Sequence, residues 1–387
     1  MKKYIHLMLS FWLLVVFSAC QPELPILYAP ETAIIATPEQ EFDVFWNGMN
    51  NNYVFWDRDP TDWDAMYRKY KPLFAQLKFN EADMKKAHTY YEEMTANLID
   101  SHYAVLFTDG RAPILPSKSR VGKRPNYHEA ISNRHYTTVV RENYLAKNSL
   151  IGVVQSDDKA DTLVAGKIKN TNVLYFRFSS FALKSWYLAQ KGSVAEVLNY
   201  IVSELHKTDL DGVIIDMRGN GGGDASDLDF LIGQLTDKPY VFGSLRSKAG
   251  MGRLDYLPWV PASVNPLDSA QAFIKPVIAL VDMHSVSMSE ITSMAIKALP
   301  NGNGRVVGER TWGGNGPLTS NIFYNDGQFT TGGRIKLVYT SSQMLRYKDG
   351  IVYEGLGFPP DIEAPYDEVA LKVGKDTQLE KAIAQIH

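Results

Sequence analysis

The sequence predicts an α/β protein, α+β overall, in which an N-terminal helical bundle precedes an α/β core. Three observations carry this. Apolar residues recur at helical spacing between about residues 40 and 100. Beyond Lys167, short strands alternate with amphipathic helices, the rhythm of a largely parallel sheet. Two of those strands, Val213 to Met217 and Val277 to Val281, are unbroken apolar runs that end in a glycine-rich and a serine-rich turn. A chain of 387 residues, 45% hydrophobic and 21% charged, is long enough to bury a substantial core and is not disordered.

Met1-Lys2-Lys3 is basic, and Leu7 to Phe17 is apolar but shorter than the ~20 residues that span a bilayer. With Ser18 and Ala19 behind it, this is a secretory leader over residues 1–19. Residues 20–38, rich in Pro and Thr, form a linker. Phe17-Ser18-Ala19-Cys20 resembles a bacterial lipobox. That resemblance implies lipidation at Cys20, a signal peptide removed before it, and a chain lipid-anchored in the bacterial cell envelope. The expected site is the outer membrane, facing the periplasm or the surface. Cys20 is the only cysteine, so no intramolecular disulfide forms.

Residues 39–110 read as the helical domain. Phe42, Trp46, Met49 and Tyr53 share one helical face; Asp62 and its neighbours cap a second helix and Asn80-Glu81 a third. Residues 111–166 read as a short β-rich connection, with strands at Tyr136 to Val140 and Leu150 to Val154. Residues 167–387 form the α/β core. Its strands are Val173 to Phe178, Val213 to Met217 and Val277 to Val281; its helices are Val194 to Leu205, one through Leu228 to Leu235, Ser289 to Leu299 and a last one at Gln378 to Ile386.

Composition removes several functions. A net charge of −3 supplies no positive field for nucleic acid. The 8 histidines and 1 cysteine argue against a cysteine-built zinc site, and His128-Glu129 fails as HExxH because Ser132 stands where the second histidine belongs. No cofactor motif remains: Asp224 interrupts GxGxxG after Gly219-Asn220-Gly221, and no GK[ST] follows.

Four segments can carry chemistry. Asp216-Met217-Arg218-Gly219-Asn220-Gly221-Gly222-Gly223 ends a buried strand and exposes backbone N–H groups suited to an oxyanion. His284-Ser285-Val286-Ser287-Met288-Ser289-Glu290 joins a strand to a helix, where a serine is either exposed at a sharp turn or simply a cap; Ser289 is the expected cap. Asp100-Ser101-His102 closes the helical domain, and Tyr353 to Asp361 is a Gly/Pro-rich loop containing Glu354.

Together these segments resemble the C-terminal processing protease and tricorn-core family of serine peptidases. The Asp211 to Gly223 stretch is similar to the family's glycine motif, and HSVSMSE to its SxSxSE segment, which implies Ser287 as nucleophile. Val306 to Gly314 is similar to the strand and turn that follow. One branch carries a lysine base two residues after the aromatic of that turn; here Trp312 is followed by Gly313-Gly314. The tricorn-like branch uses a histidine preceded by serine and a late glutamate, which Ser101, His102 and Glu354 resemble.

The resemblance implies a ClpP/crotonase-like core with no evident PDZ domain, since the 111–166 interval is too short for one. It also implies acyl-enzyme hydrolysis of a peptide or protein substrate. His102 would be the base, with Glu354 orienting it through or beside the Ser101 hydroxyl. Backbone amides of Met288 and of Gly221 or Gly222 would form the oxyanion hole. His284, three residues from Ser287, stays open as a rival base. The family's fold also occurs in retinoid-binding modules, so a catalytically inactive lipoprotein that binds peptides or apolar ligands is the alternative.

Overall fold

The computed structural model describes residues 34–155, 160–250, 252–268, 270–318 and 327–386. Residues 1–19, expected to be a leader, and Cys20 lie outside the described residues. Three helices open the chain: α1 (Pro38–Asn52), α2 (Trp63–Phe74) and α3 (Glu81–Thr95). Each starts on a polar cap: Thr37, Asp62 and Asn80 accept the N–H groups of Gln40, Ala65 and Asp83. Phe42, Phe45, Met49, Trp63, Phe74 and Tyr91 bury the face their spacing announces. β1 (Ala104–Phe107), α4 (Pro116–Gly122) and a π-wound turn at His135–Val140 follow.

The predicted strand at Tyr136 to Val140 is therefore helical. Its β-branched composition suggested a strand, but Tyr136 and Val140, four residues apart, pack into the core beneath the main sheet. Tertiary burial overrides propensity there.

Next come β2 (Leu150–Gln155), β3 (Ala160–Lys167), β4 (Val173–Phe178), α5 (Leu183–Ala189), α6 (Gly192–Leu205), β5 (Gly212–Asp216), α7 (Asp227–Ile232), β6 (Tyr240–Ser247), β7 (Val260–Val264), β8 (Val277–Val281), α8 (Met288–Lys297) and β9 (Gly304–Gly308). The chain closes with β10 (Gln328–Phe329), β11 (Ile335–Tyr339), β12 (Gln343–Tyr347), β13 (Ile362–Glu363), α9 (Glu368–Lys372) and α10 (Thr377–Ile383).

Seven strands form the main sheet in the order β13-β9-β8-β5-β4-β3-β2. β13, β9, β8, β5 and β4 run parallel, and β3 and β2 add antiparallel, so the sheet reaches back across residue 167 to Leu150. β5 and β8 are buried along their whole length, as parallel strands covered on both faces must be. α6 and α8 cover one face; Tyr136, Val140 and α10 cover the other. Two smaller sheets, β1-β11-β10 and β12-β6-β7, complete the molecule. Through Ile335, Val338 and Met344 the late strands enter the helical domain's core, so the two halves share one packed boundary.

Among the described residues, no helix is long and apolar enough to cross a membrane.

Candidate active site

Because β5 and β8 are parallel neighbours, their carboxyl ends deliver the glycine loop and the serine turn side by side, at the sheet edge where α/β proteins bind ligands. The loops are laced together. Gly219 N–H donates to Asp282 Oδ1 at 3.0 Å, Ser285 Oγ to the Met217 carbonyl at 2.8 Å, and Val286 N–H to the Asn220 carbonyl at 3.1 Å.

The three serines of the turn differ. Ser285 and Ser289 are fully buried, and their hydroxyls are committed to the Met217 and Asn220 carbonyls. Ser287 instead borders a cavity of about 480 Å³. It also sits at φ 60°, ψ −120°, a conformation that L-residues with a Cβ rarely adopt. Ser287, not the predicted Ser289, occupies the N-cap position of α8, because Glu290 reaches back to accept the Ser287 N–H at 3.2 Å. Such a strained strand-to-helix turn pushes a hydroxyl out above the sheet.

Glu290 does more than start the helix. Three further contacts reach the Thr311 to Gly314 turn: Oε1 accepts from Thr311 Oγ1 at 2.5 Å and Gly313 N–H at 2.9 Å, and Oε2 from Gly314 N–H at 2.6 Å. Burial raises its pKa, and these hydrogen bonds oppose the rise. A Cβ on Gly314 would come within 2.8 Å of Val286 Cγ2 and 2.9 Å of Ser101 Cβ, so no lysine fits at that position.

Gly222 lies against Ser287: a Cβ there would fall 2.6 Å from Ser287 Cβ and 3.0 Å from the Met288 nitrogen, at φ 92°. Its own N–H, however, donates to Asn220 Oδ1 at 2.8 Å. Gly222 thus contributes close approach, not an amide donor. Of the predicted oxyanion amides, those of Gly221 and Met288 carry no such commitment within the loop; the latter is a first-turn donor with no intrahelical partner.

The histidine segment is built from the other half of the chain. Asp100, fully buried, accepts from His102 N–H at 2.9 Å, Ser341 N–H at 2.7 Å and Ser341 Oγ at 2.8 Å. His102 Nδ1 lies 3.3 Å from the same Ser341 Oγ. With Nδ1–H donating to that hydroxyl, Nε2 is left as the acceptor. Among the described residues, no hydrogen bond joins His102 to Ser287.

Glu354 is also buried. Its Oε1 accepts the backbone N–H of Ser101 at 2.7 Å, not the hydroxyl, and its Oε2 accepts Gly316 N–H at 2.8 Å. The Ser101 hydroxyl donates to the Gly313 carbonyl at 2.6 Å and accepts from Arg120 at 2.8 Å. The imidazole's immediate partner is therefore Ser341 backed by Asp100, a pairing the sequence did not disclose. Arg120 and Arg124 pin the surroundings: Arg120 binds the Leu98 and Ile99 carbonyls, and Arg124 those of Thr311 and Trp312.

Burial lowers the His102 pKa, opposed by the charge of Asp100. Burial raises Asp100, and it drives Glu354 well above the usual carboxylate range, with Asp100's charge adding to the rise. Ligand atoms of Asp100, His102 and Glu354 lie within 4.8 Å of one another. All four carboxylate oxygens already accept hydrogen bonds, so the cluster is satisfied from within the protein.

His284, the rival base, turns elsewhere. Its Nε2 lies 2.7 Å from the His128 carbonyl, and its ring packs against His128 and Trp312.

A serine held in a strained turn at the carboxyl edge of a mixed α/β sheet, beside a glycine loop, is the layout of a serine hydrolase. Residues 172–364 match Peptidase family S41, and residues 36–86 match the Tricorn protease C1 domain. The chain carries Peptidase S41 and Tricorn C1 regions, and these, with the relatives that follow, support a serine peptidase of tricorn-like kind. Tricorn protease homolog 1 of Streptomyces coelicolor is 32% identical over 174 residues, 45% of this chain and 14% of that protein. The tricorn protease of Thermoplasma acidophilum is 29% identical over 179 residues, 46% of this chain and 14% of that protein. The chain thus spans a small part of the length of these tricorn relatives. A candidate peptidase from Parabacteroides merdae shares the fold, with a TM-score of 0.68 at 20% identity over 91% of this chain and 97% of that one.

Proposed function

We propose that the chain is an endopeptidase that works through an acyl-enzyme on Ser287. The Ser287 hydroxyl attacks the substrate carbonyl while His102 Nε2 takes its proton. His102 then returns that proton to the leaving amine, and water releases the acyl group by the same route reversed. Amides of Met288 and Gly221 hold the oxyanion, at about 3–4 kcal/mol per donor. Ser341, anchored on Asp100, orients the imidazole, while Glu354 fixes the backbone that carries it. The observation that carries this reading is Ser287 itself: the one serine of its turn that borders the cavity, held at positive φ. Catalytic hydrogen bonds are often long in an empty site and tighten with substrate, so a missing Ser287–His102 bond is compatible with it.

Reaction of the purified protein with a fluorophosphonate, with the adduct mapped to Ser287, tests the nucleophile. The pH dependence tests the base. Because burial depresses the His102 pKa, its neutral form persists through pH 6.5, and the labelling rate should fall only on the acid side of that value. Removing the Asp100 charge takes away the influence that raises this pKa, so Asp100→Asn should move the acid limb lower still. A limb above pH 6.5, or a shift upward in the variant, refutes His102 as base.

The lipidated envelope location rests on the leader and Cys20. Labelled palmitate should enter the wild-type chain in a bacterial host and be lost in Cys20→Ser; equal labelling of both would refute it.

A further inference from the structure

Resting on the Ser287 reading, we infer that the cavity beside Ser287 is the specificity pocket for the residue on the acyl side of the scissile bond, and that it selects an uncharged, apolar side chain. Its volume is about 480 Å³, within the range of pockets that enclose ligands, and ample for the largest aromatic side chain. Leu228, Phe242, Leu245, Ala262, Ile291 and Leu345 supply its apolar wall. These side chains come from α7, β6, β7, α8 and β12, so the small sheet β12-β6-β7 lies against the helix that starts at Ser287.

The lining holds no Asp, Glu, Lys, Arg or His among the described residues; its polar side chains are Ser263, Asn265, Gln343 and Ser287. Against these described residues a charged side chain would lose its hydration without gaining a counter-ion, which is costly.

The side of the bond follows from what flanks the cavity. Met288, whose amide is the proposed oxyanion donor, lies in the wall, as does Gly223 of the glycine loop. The carbonyl held by such donors belongs to the acyl residue, so that residue's side chain lies nearest them. His102, which must face the leaving amine, does not border the cavity.

The test uses internally quenched peptides that differ only in the residue before the cut, with cleavage sites read by mass spectrometry and fluorophosphonate labelling run in parallel. Leu, Met or Phe should be preferred over Asp or Lys by about 10- to 100-fold in kcat/KM. Leu228→Glu, at a half-buried position on the wall, should shift the preference toward Lys and Arg. Ala262→Leu, which introduces no charge, should lower Phe relative to Ala. Cleavage without apolar preference, or preferences that neither variant moves, overturns the pocket assignment. Ser287 labelled with none of the peptides cut overturns it too, while leaving the nucleophile reading intact. Neither labelling nor cleavage overturns both.

Discussion

Ser287→Ala is expected to abolish peptide cleavage, a loss on the order of 10⁶-fold in kcat if the nucleophile acts as one unit with its base. The fold should survive, because the Ser287 side chain fills no core space: it borders a cavity, while its neighbours Ser285 and Ser289 hold the loops together. Ser287→Gly sharpens the experiment. A non-glycine residue at φ 60°, ψ −120° costs about 1–3 kcal/mol of strain. Glycine relieves most of it, at the expense of a more flexible unfolded chain. The glycine variant should therefore be as inactive as the alanine variant yet unfold at an equal or higher temperature. Activity assays and thermal melts on the three proteins decide the matter. An active alanine variant would remove Ser287 from the mechanism. A glycine variant clearly less stable than wild type would show that the turn stores no strain.

That pattern explains what the sequence could and could not disclose. Local signals were legible. Asp62 and Asn80 announce helix starts through side chains that reach only three residues, and β5 and β8 announce themselves as continuous apolar runs. The glycine loop and the serine turn could be read as candidate segments because each is contiguous. What joins the segments could not be read. Asp100 meets Ser341 across 241 residues, Ser101 meets Glu354 across 253, and Arg124 meets Trp312 across 188. Asp100 was in view but only as a neighbour of His102, and Ser341 and Arg120 carry no local signal at all. Glu290 is by local position an acid in the first turn of α8, whereas its carboxylate ties the serine turn to the Thr311 to Gly314 turn. The π-wound turn at His135–Val140 failed for the opposite reason: its local signal was strong and pointed to the wrong structure.

The same long-range logic governs the largest stability effect expected. Arg218 is fully buried one residue before the glycine loop. Its guanidinium forks onto two carboxylates, with Nε and Nη2 on Asp216 at 3.0 and 2.6 Å and Nη1 and Nη2 on Asp376 at 2.9 Å each. Asp376 caps α10 and also meets His135 Nε2 at 2.8 Å, so the arginine ties the C-terminal helix and the π-wound turn to the loop beside Ser287. Arg218→Met leaves two acidic groups buried without their cation. The expected loss is about 3–5 kcal/mol of folding free energy, read as a lower midpoint in urea. Arg218→Lys should recover little, since one ammonium cannot reproduce two bidentate contacts. Burial alone would raise the Asp376 pKa, but the Arg218 charge and the bonds from His135 and Arg218 outweigh it and hold it well below the usual carboxylate range. A carboxyl depressed in the folded state contributes stability above its unfolded pKa and loses that contribution as pH falls toward the folded value. Wild type should therefore weaken steadily below about pH 4, and Asp376→Asn should weaken less steeply over the same interval. An Arg218→Lys protein with wild-type stability, or identical acid slopes for wild type and Asp376→Asn, would show that this buried pair does not hold the loop.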